Sequence, residues 1–425
     1  MHVLLITQYW EPEQGVVQRR WRWIGGDIVS AGHGLSVVAP PPHYPGGKLI
    51  SHAPEYQAGS ITTDDRGITV YRARFIEHDK SIVSRVKDQA VIMVSEFFTA
   101  RKAIRKARKQ GIPIDVIACT VPALPSAVVA FALAKTNRLP FAVELRDAWP
   151  EILDYMDQWR DPTQGEPKLG RRVKLYLFHR FLGTCGSVLD WVLKHADAVI
   201  TTTKTLAELE KTKGCRNVVA VRNRANGGVP NCNVYPVRGD GPLRVLYAGT
   251  VGRAQGLRNA IKALQLARDE GADVIMRIVG GGVHLKPVKK LAKQLGVPVE
   301  FTGRIPFEQM IDEYRWADTV LVHLESWTPM EYTIPSKLFE IMWAEKHVTA
   351  SVAGEAADIV KESGIGHVVT PMNPEELGAL WFRLFHNRQL LEVDGRGEDW
   401  FRSGPTLEDL TERWITTVDS VRKKA

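Results

Sequence analysis

Lys337 and Glu340 stand three residues apart in the run TIPSKLFEIMW, directly behind a Pro335–Ser336 pair that reads as a helix start. At that spacing both side chains lie on one side of the helix. A lysine in the first turn opposes the helix dipole, at a cost of about a few tenths of a kcal/mol. That cost is offset where the ammonium meets an anion such as phosphate. A carboxylate one turn further on can accept hydrogen bonds from both hydroxyls of a ribose. The same two residues can equally form a solvated surface ion pair, which is worth little.

Three glycine-bearing turns precede this run. In YAGTVGRAQG a strand ends at Ala248 and passes through Gly249, Thr250, Gly252 and Arg253 into a helix that starts near Gln255. Glycines there let the backbone turn tightly and approach a ligand. The free N–H groups of a helix start favour a diphosphate, and Arg253 adds a fork of charged donors. In RIVGGG a strand runs into Gly280, Gly281 and Gly282, leaving room for a base or ribose against the backbone. In FTGRIPFEQM the backbone at Gly303, Arg304 and Ile305 can read a base edge, with the Arg304 side chain more readily solvated. Each turn taken alone is also an ordinary strand-to-helix connection.

These turns need strands and helices to hold them. Apolar runs at Val3–Ile6, Leu35–Ala39, Ile68–Arg72, Ile114–Cys119, Phe141–Leu145 and Ala198–Thr202 predict one series of strands. Several are nearly continuous, as strands covered on both faces must be. Between the first two, Val17, Trp21, Ile24 and Ile28 mark one helix face, with Gly32 past its end. A second series follows at Arg244–Ala248, Val274–Val279, Val299–Phe301, Thr319–Leu324 and Val348–Ser351, interleaved with helical patterns such as Leu257–Asp269 and Leu285–Leu295. The alternation predicts an α/β protein with two doubly wound sheets facing across a cleft and a ligand at the strand carboxyl ends. The expected division is residues 1–222, an Asn-, Gly- and Pro-rich linker at 223–242, a second domain at 243–404, and a C-terminal helix at 405–425 whose packing partner the sequence leaves open.

The 425 residues are enough for two domains. With 44% hydrophobic and 24% charged residues the composition is that of an ordinary globular protein. The opening MHVLLITQYW lacks a basic leader and a cleavage site, and reads as a first strand rather than a signal peptide. The four cysteines, Cys119, Cys185, Cys215 and Cys232, form no CxxC pair, which fits a reduced, cytoplasmic setting. The net charge of +8 suits an anionic partner.

Taken in order, the PSKLFE run, the following SVAGEAADIV, the RIVGGG and YAGTVGRAQG turns, and the N-terminal QYWEPEQG and internal VELRDAWPE resemble the retaining glycosyltransferases with two Rossmann-like domains, the GT-B fold (group 1, or family 4, type). The branch resembled assembles colanic acid, O-antigen and other cell-surface polysaccharides. The resemblance covers nearly the whole chain. It implies transfer of a hexose-type sugar from a UDP- or GDP-linked donor to a hydroxyl of a glycan, a lipid-linked glycan or a small molecule, with retention and without a cofactor or catalytic metal; no DxD metal motif is present. It places Glu340 on the ribose, Lys337 and Arg253 at the phosphates, and Gly249, Thr250 and Gly252 in the phosphate-side turn. Gly280, Gly281, Gly303, Arg304 and Ile305 fall on the nucleoside side, and Pro335 and Ser336 at the helix start. Gln14 and Gly15 belong to an N-domain loop that closes over the donor. Asp147, with Arg146 and Trp149 beside it, faces the donor sugar and acceptor, where it can orient or deprotonate the acceptor hydroxyl. Asp147 reads equally as the N-cap of a helix entered at Trp149–Pro150.

Two positions depart from the pattern. The family's glutamate pair would put a second Glu at Tyr332; Glu331 is adjacent but one out of register. Its Arg and Lys, five apart in the first turn, fall here on Thr250 and Gln255, with Arg253 as the substitute. Two basic stretches remain. Ala100–Gly111 reads as an amphipathic helix with its apolar face in the core and its charges solvated. Lys168–Gly183 reads equally as such a helix or as a contact with an anionic membrane, on the inner face of the cell membrane near a lipid-linked acceptor. Rival readings are an NAD-dependent oxidoreductase, although GTVGRAQG lacks G-x-G-x-x-G spacing, a nucleotide-sugar epimerase, and a nucleic-acid binder, for which no recognition motif is present.

Overall fold

The computed structural model of the chain describes residues 1–13, 15–44, 46–79, 81–121, 123–159, 169–224 and 239–422. The chain divides into two compact units, Met1–Arg222 with Leu407–Ala425, and Asn223–Thr406. The expected linker falls largely outside the described residues.

The first unit runs β1 (His2–Ile6), α1 (Val16–Ser30), β2 (Gly34–Ala39), β3 (Ile61–Thr63), β4 (Thr69–Arg72), α2 (Ile82–Lys109), β5 (Val116–Val121), α3 (Leu124–Asn137), β6 (Phe141–Leu145), α4 (Leu169–Lys194), β7 (Ala198–Thr201), α5 (Lys204–Thr212) and β8 (Val218–Ala220). Its sheet has the order β3-β4-β2-β1-β5-β6-β7-β8, parallel except for the β3 edge. The order reverses between β1 and β5, which pair directly from Val3↔Val116 to Ile6↔Cys119. This reversal point is where doubly wound sheets bind ligands.

The second unit runs β9 (Leu243–Ala248), α6 (Leu257–Asp269), β10 (Val274–Val279), α7 (Leu285–Leu295), β11 (Val299–Gly303), α8 (Met310–Trp316), β12 (Thr319–His323), α9 (Thr328–Glu331), α10 (Ser336–Trp343), β13 (His347–Ser351), α11 (Gly354–Ser363), β14 (Gly366–Val369), α12 (Pro374–His386) and α13 (Arg396–Ser403). Its order, β11-β10-β9-β12-β13-β14, is fully parallel and reverses between β9 and β12.

The inner strands are the predicted apolar runs. Three short strands at or near the sheet edges, β3, β8 and β14, are not among the predicted runs; most of their positions are only half-buried. The predicted α1 face is found at Trp21, Ile24 and Ile28, all fully buried, and Gly32 follows the helix at φ +79°. The last helix, α14 (Leu407–Arg422), packs on the first unit. Trp414 meets Trp21 edge-on with centroids 5.7 Å apart, and the Thr411 hydroxyl donates to Asp27 at 2.7 Å. The chain therefore leaves its first sheet, builds a second, and returns to close the first core.

Candidate functional site

At the carboxyl ends of β9, β10 and β11 the three glycine turns are tied to one another. Gly249 N–H donates to Val279 O at 2.8 Å, Val251 N–H to Gly281 O at 3.0 Å, and Gly280 N–H to Gly303 O at 2.6 Å. This contact fixes what the glycines are for. A Cβ on Gly280 would lie 1.9 Å from the Gly249 carbonyl oxygen, and one on Gly282 would lie 2.3 Å from the Val251 carbonyl oxygen. On the side to which a Cβ would project, Gly280 and Gly282 are thus closed by neighbouring backbone, and both positions require glycine for that contact. Gly281 differs: a Cβ there meets only the exposed Arg304, at 3.7 Å. Gly303 has open space, at φ +78°. Arg304 is solvated, as expected, and Ile305 is half-buried.

The turn after β9 does not start its helix at Gln255. Gln255 instead folds back, its side-chain oxygen accepting from Gly252 N–H at 3.0 Å, and α6 begins at Leu257 behind Gly256 in the left-handed region. Thr250 is exposed, and its carbonyl accepts from the Tyr247 hydroxyl at 2.6 Å. The Arg253 Nε is buried without a hydrogen-bond partner among the described residues. His323, at the end of β12, fills the space beside Gly256 and accepts from Asn259 Nδ2 at Nε2, 3.1 Å away. Burial, reinforced by the charge of Lys337, pushes His323 down to about 4, so it is neutral at physiological pH.

Lys337 sits in the first turn of α10, which Pro335 caps. The surface ion-pair alternative is excluded by its position. Although the residue as a whole is half-buried, its Nζ is enclosed and has no hydrogen-bond partner among the described residues. It lies 3.8 Å from the Tyr247 ring centroid, and a Cβ on Gly249 would lie 3.2 Å from it. Burial pulls Lys337 down to about 7, against the opposing charge of Glu340. Ser336 opens the helix, and Glu340 is half-buried one turn along. Glu331 ends α9 with its side chain exposed, while its carbonyl lies against Gly354; a Cβ there would come within 2.1 Å of that oxygen. The glycine of SVAGEAADIV thus lets α11 approach the segment before the PSKLFE run.

In the first unit the predicted residues are Gly15, Arg146, Asp147 and Trp149. Gln14 lies outside the described residues. Gly15 precedes α1 in an extended conformation. Arg146 and Asp147 follow β6. Beneath them Glu144 is bound by Arg20 Nε at 2.8 Å and Trp21 Nε1 at 2.9 Å, a buried pair that docks α1 on the sheet. The Arg146 Nε is buried without a hydrogen-bond partner among the described residues, and burial lowers its guanidinium from the usual range. Asp147 does not cap an α-helix. Its carbonyl accepts from Trp149 N–H at 2.7 Å, and a 3₁₀ turn, Glu151–Trp159, follows. Trp149 is half-buried.

Sequence reasoning missed a second cluster at the same carboxyl ends. The buried Glu13 accepts from His43 N–H at 2.6 Å and Tyr44 N–H at 2.8 Å through one oxygen, and from Gln18 Nε2 at 2.7 Å through the other. Gln8 donates to Gln89 at 2.8 Å, and Asp88 accepts from Ile76 N–H at 2.9 Å. Burial, then Tyr44 and Glu13, push the Tyr9 hydroxyl up to about 12. The available signal was the density of polar residues in QYWEPEQG behind β1 and the His43–Tyr44 pair within the proline-rich segment behind β2.

Among the described residues no group of three or more His, Cys, Asp and Glu is placed to hold a metal, and no helix is long and apolar enough to cross a membrane.

Residues 236–393 match the family described as glycosyl transferases group 1. A probable glycosyltransferase of Pseudomonas aeruginosa, WbjE, is 29% identical over 211 residues, 45% of this chain; the match spans half of that protein. The putative colanic acid biosynthesis glycosyl transferase WcaI of Escherichia coli K12 is 24% identical over 83% of this chain and 84% of its own. Among solved structures, the Anabaena protein HepE in complex with UDP and glucose matches with a TM-score of 0.64 at 15% identity, over 99% of this chain and all of its own. The lipopolysaccharide outer core galactosyltransferase WaaB matches with a TM-score of 0.62 at 14% identity, over 99% of each chain. The chain therefore carries a group 1 glycosyl transferase domain, has the GT-B fold of two Rossmann-like units, and is a glycosyltransferase.

Proposed function

We propose that the enzyme moves a hexose from a UDP- or GDP-linked donor to a hydroxyl of a glycan, lipid-linked glycan or small-molecule acceptor, with retention at the anomeric carbon, in the assembly of a cell-surface polysaccharide. One observation carries the donor part of this reading: the Lys337 ammonium is enclosed, without an acceptor among the described residues, at the carboxyl ends of the second sheet. An anion placed there restores its charge and supplies the missing hydrogen bond. A diphosphate has the right chemistry, since negative charge grows on it as the sugar–phosphate bond breaks. Lys337 and Arg253 then stabilise the departing group, Glu340 receives the ribose hydroxyls, and Gly281 with Gly303 lies along the nucleoside. On the first unit, Asp147 orients or deprotonates the acceptor hydroxyl, with Arg146 and Trp149 beside it. No metal is required. The relatives support the reading: HepE has been seen with UDP and glucose, and WaaB is a galactosyltransferase.

The test is thermal melting with a nucleotide panel. A ligand at about a hundred times its Kd stabilises by about 2.7 kcal/mol, so UDP or GDP should raise the melting temperature by several degrees. A panel in which no nucleotide shifts the intact protein defeats the donor assignment. Product analysis decides the class, since transfer or hydrolysis yields free nucleoside diphosphate and an epimerase yields an isomeric nucleotide sugar.

A further inference from the structure

The basic stretch Ala100–Gly111 forms the last turns of α2 and its close, and behaves largely as its sequence suggests. Ala100, Ala103 and Ala107 are buried, and Lys102, Arg105, Arg108 and Lys109 are exposed. Lys106 is the exception. It is half-buried and turned over the Tyr71 ring of β4, its Nζ 5.9 Å from the centroid. Here the helix does not close onto the sheet. A cavity of about 440 Å³ opens between them, at the amino ends of β1, β2 and β4. That volume falls within the range of small-molecule sites, about 300–1,000 Å³.

Strand register builds the floor of this cavity. His2 pairs with Gly34 and Ser36 with Thr69, and residues two apart share a face, so His2, Ser36, Thr69 and Tyr71 stand on one side of the sheet. Gly34 makes room for the His2 ring, since a Cβ there would lie 2.9 Å from it. The ring is held at both nitrogens, Nδ1 to Ile112 O at 2.9 Å and Nε2 to Ser36 Oγ at 3.0 Å. Voids left by imperfect packing are apolar and dry. This cavity instead holds three polar groups short of partners among the described residues. The Lys106 ammonium has no carboxylate, and the Tyr71 hydroxyl has no hydrogen bond. Asp115 accepts from His2 N–H at 2.7 Å through one oxygen and keeps the other unused.

We infer that this cavity is a second binding site, for an anionic sugar: one hexose-sized ring bearing a phosphate or a carboxylate. Lys106 meets the anion, with the Tyr71 hydroxyl donating beside it. The unused Asp115 oxygen accepts from ring hydroxyls. The strand order β4-β2-β1-β5 sets the Tyr71 and Asp115 ends three inter-strand steps apart, about 14 Å. A ligand that meets both therefore carries its charge at one end and its hydroxyls at the other. Inorganic phosphate would satisfy Lys106 and leave Asp115 unused; a neutral sugar would do the reverse. A cation would meet the excess charge of α2, which has no acidic residue after Glu96. The site is separate from the one described above, because Gln8, Glu13 and His43 follow the carboxyl ends of β1 and β2, not their amino ends. The inference does not rest on the proposed function.

Calorimetric titration of the full chain with glucose 6-phosphate and with glucuronate tests it, beside glucose and inorganic phosphate. Saturable binding of one or both anionic sugars is expected, at least about tenfold tighter than that of glucose or phosphate. Whichever binds identifies the anion as phosphate or carboxylate. Lys106→Gln should weaken binding by about tenfold to a hundredfold, and Asp115→Asn, which keeps an oxygen for His2 N–H, by about tenfold. Both variants should melt like the parent without ligand; if Asp115→Asn melts early, Lys106→Gln alone decides. Saturating UDP or GDP should leave the titration unchanged. The inference is overturned if neither anionic sugar binds, if glucose or phosphate binds as tightly, or if folded Lys106→Gln keeps parental affinity. Displacement of the sugar by UDP or GDP also overturns it, since that places the sugar in the donor site. Nucleotide binding without sugar binding defeats this site alone, and the reverse result defeats only the donor assignment.

Discussion

Lys337 lies over the face of Tyr247, its Nζ 3.8 Å from the ring centroid. The tyrosine hydroxyl is turned away, donating to Thr250 O at 2.6 Å, so what the tyrosine offers the lysine is a π face rather than an oxygen. A cation–π contact returns only part of the hydration lost on burial. The ammonium is thus held in place but left electrostatically short, a condition that a bound diphosphate corrects.

The first prediction concerns stability. Lys337 titrates at about 7 in the folded protein, against an ordinary 10.5. Between those values the unfolded chain binds more protons, so this group makes stability rise with pH through that window. Its contribution is least favourable below pH 7, where the buried ammonium is charged. Lys337→Met should remove this dependence and raise the unliganded protein's stability at pH 6 by roughly 1–3 kcal/mol. Urea unfolding of both proteins at pH 6 and pH 9 measures it. Equal stabilities at both values would show that the ammonium carries no burial cost.

Proton uptake provides a second check. At pH 8 free Lys337 is mostly neutral, and a bound diphosphate favours its charged form. Binding of the nucleotide should therefore take up close to one proton at pH 8 and none near pH 5.5. Calorimetry in buffers of different ionisation enthalpy reads this number directly. An uptake that does not change with pH places the anion elsewhere.

Gly280 and Gly281 should separate sharply. Gly280→Ala drives a Cβ into the Gly249 carbonyl from a backbone at φ +136°, and should cost about 3 kcal/mol or more. Gly281→Ala meets only Arg304, so it should melt like the parent. If Gly281 faces the nucleoside, its alanine variant weakens nucleotide binding without loss of fold. Melting curves with and without UDP or GDP distinguish the two.

Binding and chemistry should also divide between the units. Glu340→Gln should weaken nucleotide binding by roughly tenfold to a hundredfold, the value of charged hydrogen bonds to ribose. Asp147→Asn should leave nucleotide binding intact and lower turnover by about 10²–10⁴. Kinetics beside equilibrium titration test both, and a Glu340 variant with parental affinity would remove that residue from the donor site.

The C-terminal helix should be essential to the first unit. Trp414→Ala empties a fully buried site against Trp21 and should cost about 3–5 kcal/mol. The second unit should melt as in the parent, which calorimetry resolves as a downward shift of one transition.

The sequence by itself determined the local half of this protein. Apolar runs mark strands and a 3.6-residue period marks helices, because burial constrains each residue's own face; hence the α/β class, the inner strands and α1, α6 and α7 were legible. So was the set of turns from Gly249 to Glu340, since glycine after a strand is a local backbone requirement. Tertiary structure decided what those residues face. Only the pairing of β9 with β10 brings the Gly249 carbonyl against Gly280, which makes glycine a requirement of backbone packing there. Only the placement of α10 over Tyr247 converts Lys337 from a surface cation into an enclosed one. Glu13 and His43 lie 30 residues apart and meet because the crossover through α1 brings the ends of β1 and β2 together, and Asp88 on α2 reaches the segment behind β4 at Ile76. Helix α2 likewise leaves Val83 and Val94 exposed, which their apolar character does not predict. Such relations depend on contacts between distant segments, which no local periodicity encodes.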